Sequence, residues 1–350
     1  MRADMALPYT PSLVQTRIAD YLQLVRPRLA FLVLVTVGAG WLVATAGEAD
    51  LLPLVHASMG TALLFAGASA LNQLIERHED ALMARTAGRP LPAGRLQPME
   101  VLALGSILSG GGLVYLLAFC PPLAAGLGGF ALFSYVFVYT PLKVRTPLNT
   151  LIGAVPGAVP PLIGCAAARG SLDRAALSLF LIVFLWQVPH FLAIARIYRE
   201  QYTRAGFRVL PVADPQGVHT GKQMIRYTLA LIPASLMPCV LGVGGWFSGI
   251  GALILGAMFL YRACVFARSG ASHDARRVFR MSLVFLPALL LLLAVDVVGH
   301  ASGDRHRVRD SKSWICASLT SPNGSGCGGA AASAAAIGWR PPGRPFSNIR

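Results

Sequence analysis

Asn72, Glu76 and Asp80 stand four residues apart in the segment NQLIERHEDALMARTAGRPLPAGR. On a helix, that spacing puts three oxygen-bearing side chains on one face. Such a row suits a hard divalent cation, and Mg²⁺ completes its shell with phosphate oxygens and water. Arg85, Arg89 and Arg95 follow at once, and the guanidinium fork matches phosphate geometry. Residues 72–95 are therefore suited to a magnesium-bound diphosphate. Spacing alone equally admits a helix end entering water, with solvated acids and anchoring arginines.

Two further polar segments have the same dual character. Tyr139-Thr140-Pro141-Leu142-Lys143-Val144-Arg145 offers Lys143 and Arg145 to neutralise a leaving diphosphate, or is a short basic turn. Residues 186–211, WQVPHFLAIARIYREQYTRAGFRVLP, place Gln187 and His190 within an apolar run. Ionisable groups at such positions are functional candidates, although a histidine after Pro189 also suits a kink. Beyond them lie Arg196, Tyr198, Arg199, Glu200, Gln201, Tyr202, Arg204 and Arg208, a mixed face that also fits a solvated helix end.

What must position these segments is a set of membrane helices. Of 350 residues, 55% are apolar and 13% charged, and the mean hydropathy is +0.60. A soluble domain carries about 25% charged residues, so lipid must cover much of this chain. Stretches long enough to span, about 20 residues, fall at roughly 29–47, 51–71, 99–118, 121–139, 148–168, 175–195, 226–246, 248–267 and 279–299. Gly153 and Gly157 form a GxxxG that suits close helix contact. The six cysteines form no CxxC pair and read as packing residues.

Basic residues crowd the N-terminus and every second connection, which predicts nine spans with a cytoplasmic N-terminus. The formal net charge of +15 then reflects anchoring, not nucleic-acid binding. The three polar segments follow spans two, four and six, so span parity brings them out on one face. Residues 1–28 form a cytoplasmic segment, 29–299 the helical domain, and 300–350 a Gly/Ala/Ser-rich basic tail expected to be disordered.

These motifs resemble the UbiA superfamily of intramembrane prenyltransferases. The resemblance is carried by Asn72-x-x-x-Glu76-x-x-x-Asp80, Arg85-Thr86, Arg89-Pro90-Leu91-Pro92, Gly94-Arg95, Tyr139-Thr140-Pro141-Leu142-Lys143, Pro189-His190-Phe191 and Ala205-Gly206-Phe207. It covers residues 20–299. Glu76, where other members usually have Asp, favours the haem-modifying branch. The resemblance implies an all-α, nine-helix bundle in the cell inner membrane and Mg²⁺-dependent transfer of farnesyl from farnesyl diphosphate to the vinyl group of haem b, giving haem O. A haem A synthase is an implied partner. Asn72, Glu76 and Asp80, with Glu200 as a further candidate, would hold the metal. Arg85, Arg89, Lys143 and Arg199 would contact diphosphate, and His190 would meet haem.

One departure stands out. The family's second acidic motif has Asp before its Tyr, where this chain has Gln201. Gln can coordinate through its amide oxygen but adds no charge, and Glu200 points about 100° away on a helix. Arg196 also replaces a usual aromatic or apolar residue. The alternatives are a prenyltransferase acting on an aromatic or quinone precursor, a transporter of an amphipathic anion, and a catalytically weakened haem-binding assembly factor. Polar groups gathered at a rim, and not at the bilayer midplane, count against transport.

Overall fold

In a computed structural model, residues 13–47 and 50–319 are described, with side chains from 17 to 300. Every regular element among them is helical. The first helix, α1 (Leu13–Val25), precedes α2 (Pro27–Thr45) and α3 (Leu52–Ile75). A one-residue joint at Glu76 leads to α4 (Arg77–Ala81). Next come α5 (Pro98–Phe119) and α6 (Pro122–Phe133), the latter running through a π-helical stretch, Ser134–Tyr139, into α7 (Thr140–Leu142). The fifth span is two pieces, α8 (Asn149–Ala158) and α9 (Pro160–Arg169). Pro160 and Pro161 lack the N–H groups that would join them in one ladder.

The remaining helices are α10 (Arg174–Ile197), α11 (Arg199–Arg204), α12 (Leu210–Ala213), α13 (Val218–Val240), α14 (Trp246–Ser269) and α15 (Ser272–Leu319). Eight helical stretches among the described residues are long and apolar enough to span a membrane. The ninth expected span, 226–246, corresponds to α13, which begins eight residues earlier in the polar segment around Lys222. Phe31, Ile107, Phe137 and Leu291 project outward, as lipid-facing residues do.

Two compact units are present, Met1–Ala301 and Ser302–Arg350. The composition of 300–350 predicts disorder, yet the backbone is helical to Leu319. Residues 320–350 of that expected tail, and residues 1–12 of the N-terminal segment, lie outside the described residues.

Within the first unit, one core joins α10, α13, α14 and α15, and another joins α2, α3, α5, α6 and α9. Helices α2 and α9 cross with their backbones in close approach. A Cβ on Gly40 would lie 1.9 Å from the Pro161 carbonyl oxygen, and one on Gly164 would lie 2.0 Å from that of Val37. Backbone approach this close is what small residues provide between membrane helices. Gly164→Leu is expected to cost about 1–3 kcal/mol, read as a lowered melting temperature in detergent. Gly38→Ala, whose Cβ would meet nothing within 4 Å, should leave melting almost unchanged.

Candidate active site

The triad helix carries its hydrogen bonding through the joint at Glu76. Glu76 N donates to Asn72 O at 3.0 Å and Asp80 N to Glu76 O at 2.8 Å. The i, i+4, i+8 spacing is thereby realised on one face, and all three side chains are buried, at 1%, 7% and 1% exposure. A buried carboxylate without a counter-charge is costly, and each finds one in a different place. Lys143 Nζ lies 2.6 Å from Glu76 Oε1, and Arg89 forms an ion pair with Asp80. Asn72 Nδ2 donates to Thr140 Oγ1 at 3.0 Å, and Thr140 donates on to Tyr135 O at 2.8 Å.

The π-helical stretch before Thr140 belongs to this arrangement. Such stretches recur at functional sites, where they re-aim the residues that follow. Here Tyr139, Thr140 and Lys143 all meet the cluster, with Lys143 Nζ 4.5 Å from the Tyr139 ring centre. Gly153 makes room for that ring, since a Cβ there would stand 2.4 Å from it, and Gly157 does the same for Gln187 Oε1 at 2.1 Å. The GxxxG spacing thus accommodates two side chains.

Electrostatics follow from burial. Desolvation pushes the Asp80 carboxyl above the usual carboxylate range, against the pull of Arg89. Desolvation likewise lowers Arg89, helped by the like charge of Arg26. For Lys143, burial is the largest effect and works against the charge, but the Glu76 carboxylate together with Tyr139 and Tyr135 outweighs it, and the amine is held above its ordinary value. Despite the ion pair, Glu76 Oε1 is buried without a well-directed hydrogen-bond donor. A buried carboxylate oxygen with an unused lone pair, beside another carboxylate and an amide, fits a hard cation whose remaining ligands come from a diphosphate. Among the described residues, no group of three or more His, Cys, Asp or Glu side chains forms a complete metal cage.

The third polar segment reaches the same rim. Arg85 N donates to Gln201 Oε1 and its guanidinium to the Tyr202 hydroxyl, both at 3.3 Å, while it also covers the Tyr198 ring at 4.7 Å. Below, Met83, Val144, Tyr202, Ala205 and Phe207 form an apolar floor shared by the three connections. Gln201 therefore faces the Arg85 connection. Glu200 is exposed, and Arg199 is turned toward the Pro215 carbonyl at 3.3 Å; the structure does not bring either to the triad. Arg196 straps two turns, donating to Pro215 O and Gly270 O. His190 also stands apart from the triad. Its Nδ1 is 2.8 Å from Ser282 Oγ, which donates to Phe279 O, so His190 donates from Nδ1 and its Nε2 keeps a lone pair.

Asn149 closes the Thr146-Pro147-Leu148-Asn149 segment, which also belongs to the family resemblance, but its role in the site is not readable from sequence. Its Nδ2 reaches Lys143 O at 3.4 Å, Thr146 O at 2.7 Å and Arg208 O at 3.1 Å. A buried amide thus holds the Lys143 turn to the connection after span six. Its placement at the start of α8 is a local hint, but a partner 59 residues away is not. Asn149→Ala leaves those carbonyls without this donor and is expected to cost about 1–3 kcal/mol, seen as lowered thermal stability and faster proteolysis in residues 143–148.

The sequence pattern of the UbiA prenyltransferase family matches residues 33–286. A protoheme IX farnesyltransferase of Solibacter usitatus is 45% identical over 289 residues, covering 80% of this chain and 99% of the relative. One of Salinibacter ruber is 40% identical, covering 79% and 98%. A solved structure described as digeranylgeranylglyceryl phosphate synthase has a TM-score of 0.70 at 19% identity, covering 81% of this chain and 99% of its own. A UbiA homologue from Archaeoglobus fulgidus bound to GPP and Mg²⁺ has a TM-score of 0.55 at 14% identity, covering 79% and 99%. At those identities the structures show a common fold. The sequence match, running from the first membrane helix into the last, shows that the chain belongs to the UbiA prenyltransferase family.

Proposed function

We propose that the chain transfers a farnesyl group from farnesyl diphosphate to a vinyl group of haem b, giving haem O. The observation that carries this reading is the near full-length similarity to proteins named protoheme IX farnesyltransferase. The rim supports it by gathering two carboxylates, an amide and several cations above apolar helices. The alternate basic connections favour a cytoplasmic N-terminus and rim in the inner membrane. A haem A synthase would take the product onward.

Glu76 and Asp80 are each paired with a cation, Lys143 and Arg89 respectively. In the proposed donor complex these pairs exchange. Arg89, Lys143 and Arg85 would contact the diphosphate oxygens, and Asn72, Glu76 and Asp80 would hold Mg²⁺. Bound there, Mg²⁺ would neutralise the leaving diphosphate. The farnesyl C1–O bond breaks with its electron pair going to the diphosphate. The vinyl π pair forms the new bond from its terminal carbon to C1. Water then adds to the cationic carbon beside the ring and loses a proton, leaving a hydroxyl. Apolar walls keep other water from quenching the allylic cation. No serine or cysteine nucleophile is required, because the vinyl group is the nucleophile.

Purified full-length protein supplied with haem b, farnesyl diphosphate and Mg²⁺ should yield a farnesylated, hydroxylated haem by mass spectrometry. EDTA should stop the reaction and added Mg²⁺ restore it. A prenylated phenol in place of a modified haem would move the assignment to an aromatic acceptor. Asp80→Ala should lower turnover about 10²-fold or more, and unchanged Mg²⁺-dependent turnover would remove Asp80 from the site.

A further inference from the structure

A cleft of about 380 Å³ lies between the end of α10 and the start of α15, and the diphosphate chemistry above does not account for it. Ile194, Ile197 and Phe279 give it apolar lining, and Arg85, Arg276 and Arg280 line it with positive charge. No carboxylate lines it. Arg276 and Arg280 are one turn apart on α15 and so share a face. Both are exposed, and neither has an ion-pair partner among the described residues. Their neighbour Arg277 differs, being paired with Asp274 at 3.0 Å. Arg85 has its role at the diphosphate, but anchoring alone does not require the two unpaired guanidinium groups of Arg276 and Arg280 to line the same concavity.

Such an arrangement selects an anion, and a guanidinium fork matches a carboxylate as well as a phosphate. The apolar side has a definite shape. Phe279 packs against His190 with ring centres 5.1 Å apart, and His190 stacks on Trp186 at 4.9 Å. Aromatic rings therefore back the wall beside the two arginines. Arg85 belongs both to this cleft and to the cluster with Gln201 and Tyr202, so the cleft adjoins the proposed donor site.

We propose that Arg276 and Arg280 bind the two carboxylates of a flat, apolar acceptor whose body lies against Phe279. This subsite determines which acceptor reaches the prenyl donor. It rests on haem being that acceptor, since haem b pairs an apolar macrocycle with two propionates. An anionic lipid headgroup presents similar charge, and the test separates the two.

The full-length enzyme is assayed in neutral detergent with farnesyl diphosphate and Mg²⁺, on haem b and on its dimethyl ester. The wild type should show a KM for the diester about tenfold or more above that for haem b. Arg276→Gln/Arg280→Gln should raise the KM for haem b to that of the diester. The KM values for farnesyl diphosphate and the diester should not change, which also shows that the variant is folded. Arg268→Gln, a basic residue on the same connection outside the cleft, should leave the acid-to-ester ratio intact. Equal use of acid and ester by the wild type overturns the proposal, as does discrimination that survives the double variant. Equal use combined with inhibition by phosphatidylglycerol through these two arginines identifies a headgroup site instead. Modification of neither tetrapyrrole, with a phenol prenylated, removes the acceptor assignment and this subsite with it.

Discussion

Charge buried at the end of a lipid-covered bundle must be neutralised where it sits, because water is not there to do it. Glu76 and Asp80 impose that requirement here. Lys143 answers Glu76 from the connection after the fourth span, and Arg89 answers Asp80 from the return of its own connection. The residues that define the site therefore also cross-link its parts. Asp20 and Arg95, 2.9 Å apart, extend the same logic to α1 and fasten the N-terminal helix over the rim.

The helices are arranged to meet that constraint. The third helix continues past its apolar end through Glu76 so that three polar side chains stay in line. The fourth span passes into a π-helical stretch before Thr140 and Lys143, which partner Asn72 and Glu76. Asn149 fixes the backbone of the Lys143 turn against the connection at Arg208, whose own N–H donates to Lys143 O at 2.9 Å. An ion pair between long side chains gains little when either end is free to move. These backbone ties hold one end still, so the Lys143–Glu76 contact is made without ordering a mobile loop.

The membrane-spanning helices are legible in the sequence because a 20-residue apolar run has few other uses. Span boundaries were read well where the run ends in proline or glycine, as at Pro98, Pro122 and Gly270. They were misplaced at α13, whose first turns carry Lys222 and Arg226 and so look like loop to any hydropathy reading. Convergence of the three polar segments was also legible, since span parity decides it. Side-chain direction at the third segment was less so. Gln201 and Glu200 are neighbours in sequence, and only the packing of Tyr202 and Phe207 onto Met83 and Val144 decides that Gln201 meets Arg85. Arg199 was matched to phosphate by residue type, but the Pro215 carbonyl is nearer. Partnerships across 59 or more residues, such as Asn149 with Arg208, have no local pattern to betray them.

Gln201 gives the rim an uneven charge. Around the triad, each buried carboxylate is matched by a cation, so that half is close to balanced. On the other side, Arg85 meets a neutral amide and two tyrosines, and the adjoining cleft adds Arg276 and Arg280 without an acid. A carboxylate at position 201 would stand at the Arg85 backbone, where it would offset part of that charge. With glutamine there, the hydrogen bond that orders residue 85 is kept while the positive field persists. A balanced half suits a metal and diphosphate that arrive with compensating charges. A cationic half suits a ligand that brings net negative charge of its own. The two ion pairs on one side and the Arg85–Gln201 contact on the other thus divide one rim into two electrostatic environments.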